Sequence, residues 1–265
     1  MAPYKLTVLM YHALFDCAGR CEGADPYYTV TSQVFLRHLA MIKAAGLQAS
    51  SVADILVFGS HTGRIAITFD DGHASNLAAV MAIVESDGRA DLFINPESVG
   101  KRNYLDWSAL SDLAKAGISI QSHGQTHRYF DELPARDVEY ELAVSKSNIE
   151  DRTGTPVTLF APPGGRLTWR VAPIAKRLGY LGICSSRVGL WRVDGARWSI
   201  PRLAVLQSTT DAQLLGWVTQ DRWEIAKLEV RHHVLTAAKR LLGNKSYERM
   251  RAGMLGRGNI SESPP

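Results

Sequence analysis

The feature that most constrains the fold is an alternation of short apolar runs with longer stretches of helical character. Seven runs have the length and composition of buried strands, at residues 5–11, 65–69, 91–95, 118–122, 157–161, 181–184 and 202–206. Capping side chains, among them Ser32 and Ser108, and glycine stops predict helices between them, over residues 32–45, 75–87, 108–116, 134–150, 168–178 and 211–220. Strands that alternate with helices predict βαβ units and a parallel sheet. Seven units favour a barrel, although counting alone leaves an open sheet as the alternative.

The composition is that of an ordinary soluble globular protein. Of the 265 residues, 46% are hydrophobic and 21% are charged, which excludes a disordered chain, a collagen-like fibre and a coiled-coil rod. No stretch reaches the roughly 18 apolar residues that a membrane span requires. The apolar run at residues 6–10 is only as long as a strand, and no cleavage pattern follows it, so we expect no signal peptide and a cytoplasmic protein. Cys17, Cys21 and Cys184 are then expected to be free thiols, with pairing or a shared metal at Cys17 and Cys21 as the alternative.

Basic residues concentrate near the C-terminus. The chain carries a net charge of +4, and residues 221–257 alone hold nine Lys and Arg against four acidic residues. Residues 222–242 have the apolar spacing of an amphipathic helix. Either this helix has a solvated basic face, or it contacts an anionic membrane surface or a substrate phosphate. We expect no nucleic-acid binding, because the segment has no interleaved aromatic residues and no binding motif. The predicted organisation is a catalytic domain over 1–220, followed by a basic helix and tail over 221–265.

Residues whose side chains can take part in catalysis or in metal binding follow the predicted strands. Residues 68–72 read Thr-Phe-Asp-Asp-Gly, residues 122–127 read Ser-His-Gly-Gln-Thr-His, and residues 160–165 read Phe-Ala-Pro-Pro-Gly-Gly. Taken singly, these clusters are also compatible with a solvated turn, a surface histidine pair and a plain loop. If the chain enters a helical turn after His123, its ring and that of His127 share one face and can hold a divalent ion. In an α/β fold the active site lies beyond the carboxyl ends of the strands, where all these clusters fall.

Together the clusters suggest metal-assisted hydrolysis. One aspartate and two histidines make three protein ligands and leave an open position for water on zinc. A spare carboxylate and a spare histidine then remain as base and acid, and His12 after the first predicted strand is that histidine.

The order T-F-D-D-G, then H-x-x-x-H, then F-x-x-P-x-G resembles the polysaccharide deacetylase family, carbohydrate esterase family 4. The likeness covers at least residues 5–206. The segment Met10-Tyr11-His12 is similar to a subgroup whose motif order is circularly permuted, so that its usual C-terminal histidine lies on the first strand. The resemblance implies an α/β fold with a distorted (β/α)7 barrel, here a single domain with an extra basic C-terminal helix.

The resemblance also implies roles for individual residues. Asp70 matches the catalytic base, and His12 matches the acid that protonates the leaving amine. The matching metal ligands are Asp71, His123 and His127. They would hold one divalent ion, zinc in our prediction, with cobalt, nickel and manganese as alternatives. The backbone N–H of Gly164, which follows Pro163, matches an oxyanion donor.

Three departures from the family pattern accompany these matches. The arginine that often precedes the double proline and faces the catalytic aspartate is replaced by Ala161, and Arg202 is our candidate substitute. Alternatively, the basicity of the aspartate differs. The usual tyrosine of the proline motif is Gly164, which predicts a wider pocket. No tryptophan–aspartate motif is visible; Trp191 lies near its place and is a candidate for stacking on a sugar, with an exposed loop or core position as alternatives.

The predicted function is metal-dependent hydrolysis of the acetamide of an N-acetylated amino sugar to a free amine and acetate. The predicted substrate is an intracellular glycan precursor, a glycolipid or a nucleotide sugar, met in the cytoplasm or at the inner face of the membrane. A C–N hydrolase of the same fold that opens a cyclic amide or imide is the alternative, because the pocket and not the fold decides the substrate. A non-catalytic carbohydrate-binding protein is disfavoured by the retained site residues. The oligomeric state is not predicted.

Overall fold

A computed structural model describes residues 4–15, 22–59, 61–195 and 197–242, with side chains as far as residue 232. The strands are β1 Lys5–Leu6, β2 Val8–Tyr11, β3 Leu14–Phe15, β4 Val30–Thr31, β5 Gln48–Ser50, β6 Arg64–Phe69, β7 Asp91–Ile94, β8 Ser119–Ser122, β9 Leu159–Phe160, β10 Gly182–Ile183, β11 Trp191–Arg192 and β12 Leu203–Ala204. The α-helices are α1 Ser32–Ala44, α2 Val52–Phe58, α3 Asn76–Glu85, α4 Trp107–Lys115, α5 Ala135–Thr153, α6 Val171–Arg177, α7 Asp211–Val218 and α8 Arg222–Leu242. Short 3-10 turns lie at Pro26–Tyr28, Pro163–Gly165 and Arg197–Ser199.

The centre of the molecule is a curled parallel sheet. Its strands join in the order β10, β9, β8, β7, β6, β2 and β12, and β5 pairs with the first half of β6. The strands β2, β6 and β7 are buried almost throughout, because a parallel sheet in an α/β protein is covered on both faces. Two smaller pairs flank this sheet: β1 with β11, antiparallel, and β3 with β4, parallel.

The predicted α/β barrel class is confirmed in the form of a half-barrel. β10 and β12 end the hydrogen-bonded order, and a bridge between Cys184 and Ile200 links the segments beside them. The interior is closed by apolar side chains from both ends of the order, among them Leu6, Val8 and Leu159. The barrel is therefore a packed core, and the room for chemistry lies at its carboxyl-terminal rim.

All seven predicted strands and all seven predicted helices occur, with ends displaced by a few residues. The prediction omitted β3, β4, β5, β11 and α2. Two predicted caps were wrong. The side chain of Thr31, not Ser32, caps α1, and Asp106, not Ser108, caps α4, because each accepts the N–H three residues along the chain.

The chain divides into two compact units, Met1–Ile225 and Ala226–Pro265. The predicted helix over 222–242 is confirmed as α8, and the domain boundary after residue 220 stays a prediction. Within the described residues, no helix is both long enough and apolar enough to cross a membrane. Cys184 is a buried free thiol, whereas Cys17 and Cys21 lie outside the described residues.

Asp91 begins β7 as a buried carboxyl group that holds the start of α2. Its oxygens accept hydrogen bonds from the backbone N–H groups of Val52 and Ala53 at 2.5 and 3.3 Å. Burial raises the pKa of Asp91 to about 7, against the effect of these donors. The folded protein therefore keeps this proton to a higher pH than the unfolded chain does.

We expect Asp91→Asn to gain stability relative to the wild type as the pH rises. Between about pH 4 and about pH 7 the unfolded chain has released the Asp91 proton and the folded protein has not, so the wild type loses stability across this window. Asparagine does not titrate. The difference in unfolding free energy should therefore shift by about 2 kcal/mol towards the variant between about pH 5 and pH 7. Urea denaturation at both pH values measures this, and a constant difference contradicts it.

Candidate active site

The parallel register brings the sequence clusters to one rim. Tyr11 at the end of β2 is level with Phe69 at the end of β6, so His12 and the two aspartates leave the sheet side by side. Ser122 at the end of β8 is level with Phe160 at the end of β9, so His123 and the proline segment do the same. All four strands point the same way, and residues far apart in sequence therefore share one cleft.

Asp71, His123 and His127 face one another at this rim. Oδ1 of Asp71 lies 3.3 Å from Nε2 of His123 and 3.2 Å from Nε2 of His127. The three candidate ligand atoms lie within 4.8 Å of one another, and no other such trio of His, Cys, Asp or Glu occurs in the part of the chain that is described. The predicted ligand set is therefore assembled, with His123 buried and the His127 side chain 43% exposed.

The two histidines do not lie on a helical turn, so the condition under which the sequence places them on one helix face is not met. The chain instead reverses through left-handed residues, Gly124 at φ +83° and His127 at φ +59°, and the two ring centroids are 5.1 Å apart. Asp71 is also left-handed, with φ +74°. Residues other than glycine rarely adopt this conformation, and where they do they cluster at functional sites.

A buried carboxylate on α5 shapes the loop that carries these histidines. Glu141 is 1% exposed, and its Oε2 accepts the backbone N–H groups of Gln125 and Thr126 at 2.7 and 2.9 Å. Its other oxygen accepts the Thr126 hydroxyl. Glu141 could not be predicted as a site residue, because a glutamate in a polar helix gives no local signal of a contact 16 residues back.

We expect Glu141→Ala to weaken zinc binding by about 10- to 100-fold, because the loop that carries the histidines loses its anchor. Competition with a zinc chelator measures the affinity. Glu141→Gln keeps one acceptor oxygen and should lose less of the zinc affinity than Glu141→Ala does. Glu139→Ala is the matched control, since Glu139 lies on the same helix and only pairs with Arg177 at the surface. Unchanged affinity in a folded Glu141→Ala protein contradicts the anchoring role.

The neighbouring aspartate, Asp70, forms a buried ion pair with Arg202. The two terminal guanidinium nitrogens, Nη1 and Nη2, donate to the two carboxylate oxygens at 2.6 and 2.8 Å. Arg202 also donates to Ser185 O and Thr68 Oγ1, and its guanidinium lies 5.4 Å from the ring centroid of Phe93. The predicted substitute for the arginine missing at position 161 thus contacts Asp70 directly.

The charges around the two aspartates keep both carboxylates ionised. Burial would raise the pKa of Asp70, but the charge of Arg202, followed by that of His123, lowers it. Burial would likewise raise the pKa of Asp71, but hydrogen bonds from His123 and His127 lower it well below the usual value. Asp71 is therefore available as an anionic ligand, and Asp70 as an anionic base.

His12 lies beside this pair, against an aromatic ring. Its imidazole stacks on Tyr28 with 4.5 Å between centroids, and its Nδ1 is shielded and has no hydrogen-bond partner among the described residues. Burial lowers the pKa of His12, against the opposing charges of Asp71 and Asp70. Tyr28 was not predicted as a site residue, and the 3-10 turn at Pro26–Tyr28 brings it to the site.

The proline segment forms the next wall of the cleft. Pro163 is buried and opens a 3-10 turn in which Gly164 has φ +61°, a left-handed conformation that glycine adopts without strain. The predicted oxyanion donor therefore lies on an exposed turn at the same rim. The carbonyl of Ala161, one turn earlier, accepts from Nδ1 of His123 at 2.8 Å.

Trp191 does not reach this site, and its assignment as a sugar-stacking residue was wrong. The side chain is 1% exposed and belongs to β11, where Trp191 pairs with Leu6 of β1. It packs in the core cluster that includes Phe93 and Ile200. The core alternative is therefore the one that the structure supports.

Comparison with known proteins agrees with this geometry. Residues 59–183 match the model of the polysaccharide deacetylase family. YxkH of Bacillus subtilis is 23% identical over 209 residues, which are 77% of this chain and 72% of YxkH. The peptidoglycan-N-acetylglucosamine deacetylase of Bacillus cereus is 29% identical over 139 residues, 52% of this chain and 61% of the relative.

Solved structures share the fold. The Streptococcus pyogenes deacetylase PplD, in complex with acetate, superposes with a TM-score of 0.73 at 21% identity, over 82% of this chain and 99% of PplD. The matched segment holds both the aspartate pair and the two histidines of the site. Over this segment, and in its fold, the chain is similar to the polysaccharide deacetylase family.

Proposed function

We propose that this protein is a metal-dependent de-N-acetylase that converts the acetamide of an N-acetylated amino sugar to a free amine and acetate. The observation that carries the proposal is the juxtaposition of Asp71, His123 and His127 with the Asp70–Arg202 pair at one rim. Two relatives support the substrate chemistry: one is named for N-acetylglucosamine in peptidoglycan, and the other was solved with acetate.

The donor set fits a divalent cation. Nδ1 of His123 donates to the Ala161 carbonyl, which leaves Nε2 as the nitrogen that can bind a cation. Nε2 lies 3.3 Å from a carboxylate oxygen of Asp71, and this contact requires either a proton or a cation between the two atoms. Two imidazoles and one carboxylate suit zinc, and also cobalt, nickel or manganese.

When bound, a divalent ion supplies Lewis-acid chemistry that polarises the amide carbonyl and acidifies a water molecule. The chain's own groups complete the reaction. Asp70 is ionised and takes the proton of the attacking water, and Arg202 holds both of its oxygens in place. Arg202 also lowers the basicity of Asp70, so the water must already be acidified for this transfer to be favourable.

His12 and the turn at Gly164 supply the remaining two groups, an acid for the leaving amine and a hydrogen-bond donor for the oxyanion. An amine leaves poorly unless it is protonated, so the acid is placed on the nitrogen side of the amide. The lowered pKa of His12 makes its protonated ring a stronger proton donor. Stacking on Tyr28 fixes the ring plane. In this proposal the backbone N–H of Gly164 donates to the oxygen on which negative charge develops.

We propose an intracellular substrate: a glycan precursor, a glycolipid or a nucleotide sugar. Fractionation of cells that produce the full chain tests this, with the cytoplasmic and membrane fractions assayed separately.

We propose a peripheral contact between α8 and an anionic membrane. Arg222, Trp223 and Arg231 are exposed on its first turns, and each basic side chain near such a surface contributes about 1 kcal/mol. Arg222→Glu combined with Arg231→Glu should lower sedimentation with phosphatidylserine vesicles about tenfold or more. Lys115→Glu combined with Arg136→Glu has the same charge change at other exposed positions. Equal loss in both double variants contradicts a specific role for α8.

A further inference from the structure

A tyrosine from another loop lies at the edge of the proline turn. A side chain at position 164 would place its Cβ 2.9 Å from Cε1 of Tyr129 and 3.4 Å from Cδ1. The ring therefore lies against the backbone that carries the proposed oxyanion donor, in space that any larger residue at 164 would need. Tyr129 follows His127 by two residues, so one loop carries both a metal ligand and this ring.

Arg166 holds the ring in this position. Its guanidinium lies 3.8 Å from the centroid of the Tyr129 ring, a separation typical of planar stacking. The Arg166 side chain is only 11% exposed, and it pairs with Glu132 at 3.2 Å and Asp131 at 3.8 Å. The two loops that carry the site are thus joined through one stacked pair.

The ring remains available to a ligand. Tyr129 is 39% exposed although one face is covered by Arg166. A tyrosine combines an apolar ring face with a hydroxyl group, and both suit a sugar, which has apolar C–H faces and polar edges. A tyrosine also loses little conformational entropy on binding, the more so when it is already held by a stacked guanidinium.

We infer that Tyr129 is a substrate-contacting residue that forms the sugar-binding wall beside Gly164, and that Arg166 is its positioning residue. The inference rests on the proposed function, because it places the sugar that bears the acetamide against this ring. It predicts specificity for a ring-shaped amino sugar over an acetamide without a sugar.

Binding of tetra-N-acetylchitotetraose tests the inference. Isothermal titration would use zinc-loaded full-length protein that carries Asp70→Asn, so that the sugar is not consumed. Adding Tyr129→Ala should raise the Kd about tenfold, which corresponds to about 1.4 kcal/mol. Tyr129→Phe keeps the ring and should stay within about twofold of the parent. Tyr140→Ala is the matched control, because Tyr140 is an exposed tyrosine on α5.

Arg166→Lys keeps the charge and loses the planar stack. It should raise the Kd by less than Tyr129→Ala does. In the double variant the two effects on the binding free energy should not add, since both act through one ring. Melting temperatures of all variants separate loss of binding from loss of folding. A Tyr129→Ala protein that binds the sugar as its parent does would overturn the inference, as would a parent that does not bind it at all.

Steady-state kinetics separates this inference from the proposed function, and it uses protein that retains Asp70 and is therefore active. With the sugar as substrate, Tyr129→Ala should raise KM about tenfold and leave kcat within about threefold. Release of acetate with an unchanged KM in Tyr129→Ala would refute the inference and leave the function intact. Sugar binding that depends on Tyr129, without any acetate release by the wild type, would refute the function and leave the inference intact.

Discussion

Replacing Arg202 by leucine is expected to lower the free energy of unfolding by about 3–5 kcal/mol, because it leaves Asp70 as a buried charge without its partner. Asp70 and Arg202 are 3% and 1% exposed, so water cannot take over the lost hydrogen bonds. The pKa of Asp70 should rise in the variant, since the charge that lowers it is gone. Chemical denaturation at neutral pH measures the loss of stability.

The matched control is Arg37→Leu, which removes an ion pair of the same chemistry at the surface. Arg37 lies 3.2 Å from Asp211, and the two side chains are 53% and 51% exposed. Exposed pairs contribute about 0–1 kcal/mol, so this variant should be nearly as stable as the wild type. Equal losses in Arg202→Leu and Arg37→Leu would show that the buried pair has no special role.

Asp70→Asn is expected to reduce turnover by about 100- to 10,000-fold while the protein still binds one equivalent of metal. The base is lost, but Asp71, His123 and His127 remain in place. Asp71→Asn, the neighbouring change, should lose the metal and the activity together. Metal analysis after gel filtration and acetate release by the same samples separate these two outcomes.

Two results would contradict the assignment of Asp70. Turnover like that of the wild type would place the base elsewhere. Loss of the metal in Asp70→Asn would make Asp70 a ligand or a support for one. Because Arg202 would then face a neutral amide, the stability of the variant must be measured beside its activity, and turnover should be compared at a temperature where both proteins are folded.

Much of the fold could be predicted because parallel strands and their helices are encoded locally. The apolar runs that became β2, β6 and β7 are buried on both faces, and such strands differ plainly from the helices around them. The short strands β3, β4, β5 and β11 could not be predicted. The strands β9, β10 and β12 are as short but lie within longer apolar runs, whereas β3 and β11 are defined by partners that are remote in sequence.

The site could be predicted from the residues at the strand ends together with the family resemblance. Arg202 was proposed because the resembled family often places an arginine against the catalytic aspartate and position 161 holds alanine here, and the structure pairs Arg202 with Asp70. Trp191 could not be placed, because a tryptophan between a loop and a short strand suits a core and a cleft equally. Glu141 and Tyr129 escaped notice because their roles depend on contacts across the fold.

Metal-dependent deacetylation is best tested by acetate release from a panel of N-acetylated nucleotide sugars, oligosaccharides and glycolipids. Wild-type protein would be compared in zinc-loaded and metal-stripped form, with Asp70→Asn as the blank. We expect acetate only from the zinc-loaded wild type, and restored activity when zinc is returned to the stripped protein. Equal acetate from the stripped protein, or no acetate from any member of the panel with zinc bound, would contradict the proposed function. In the second case hydrolysis of a cyclic amide or imide would become the leading alternative.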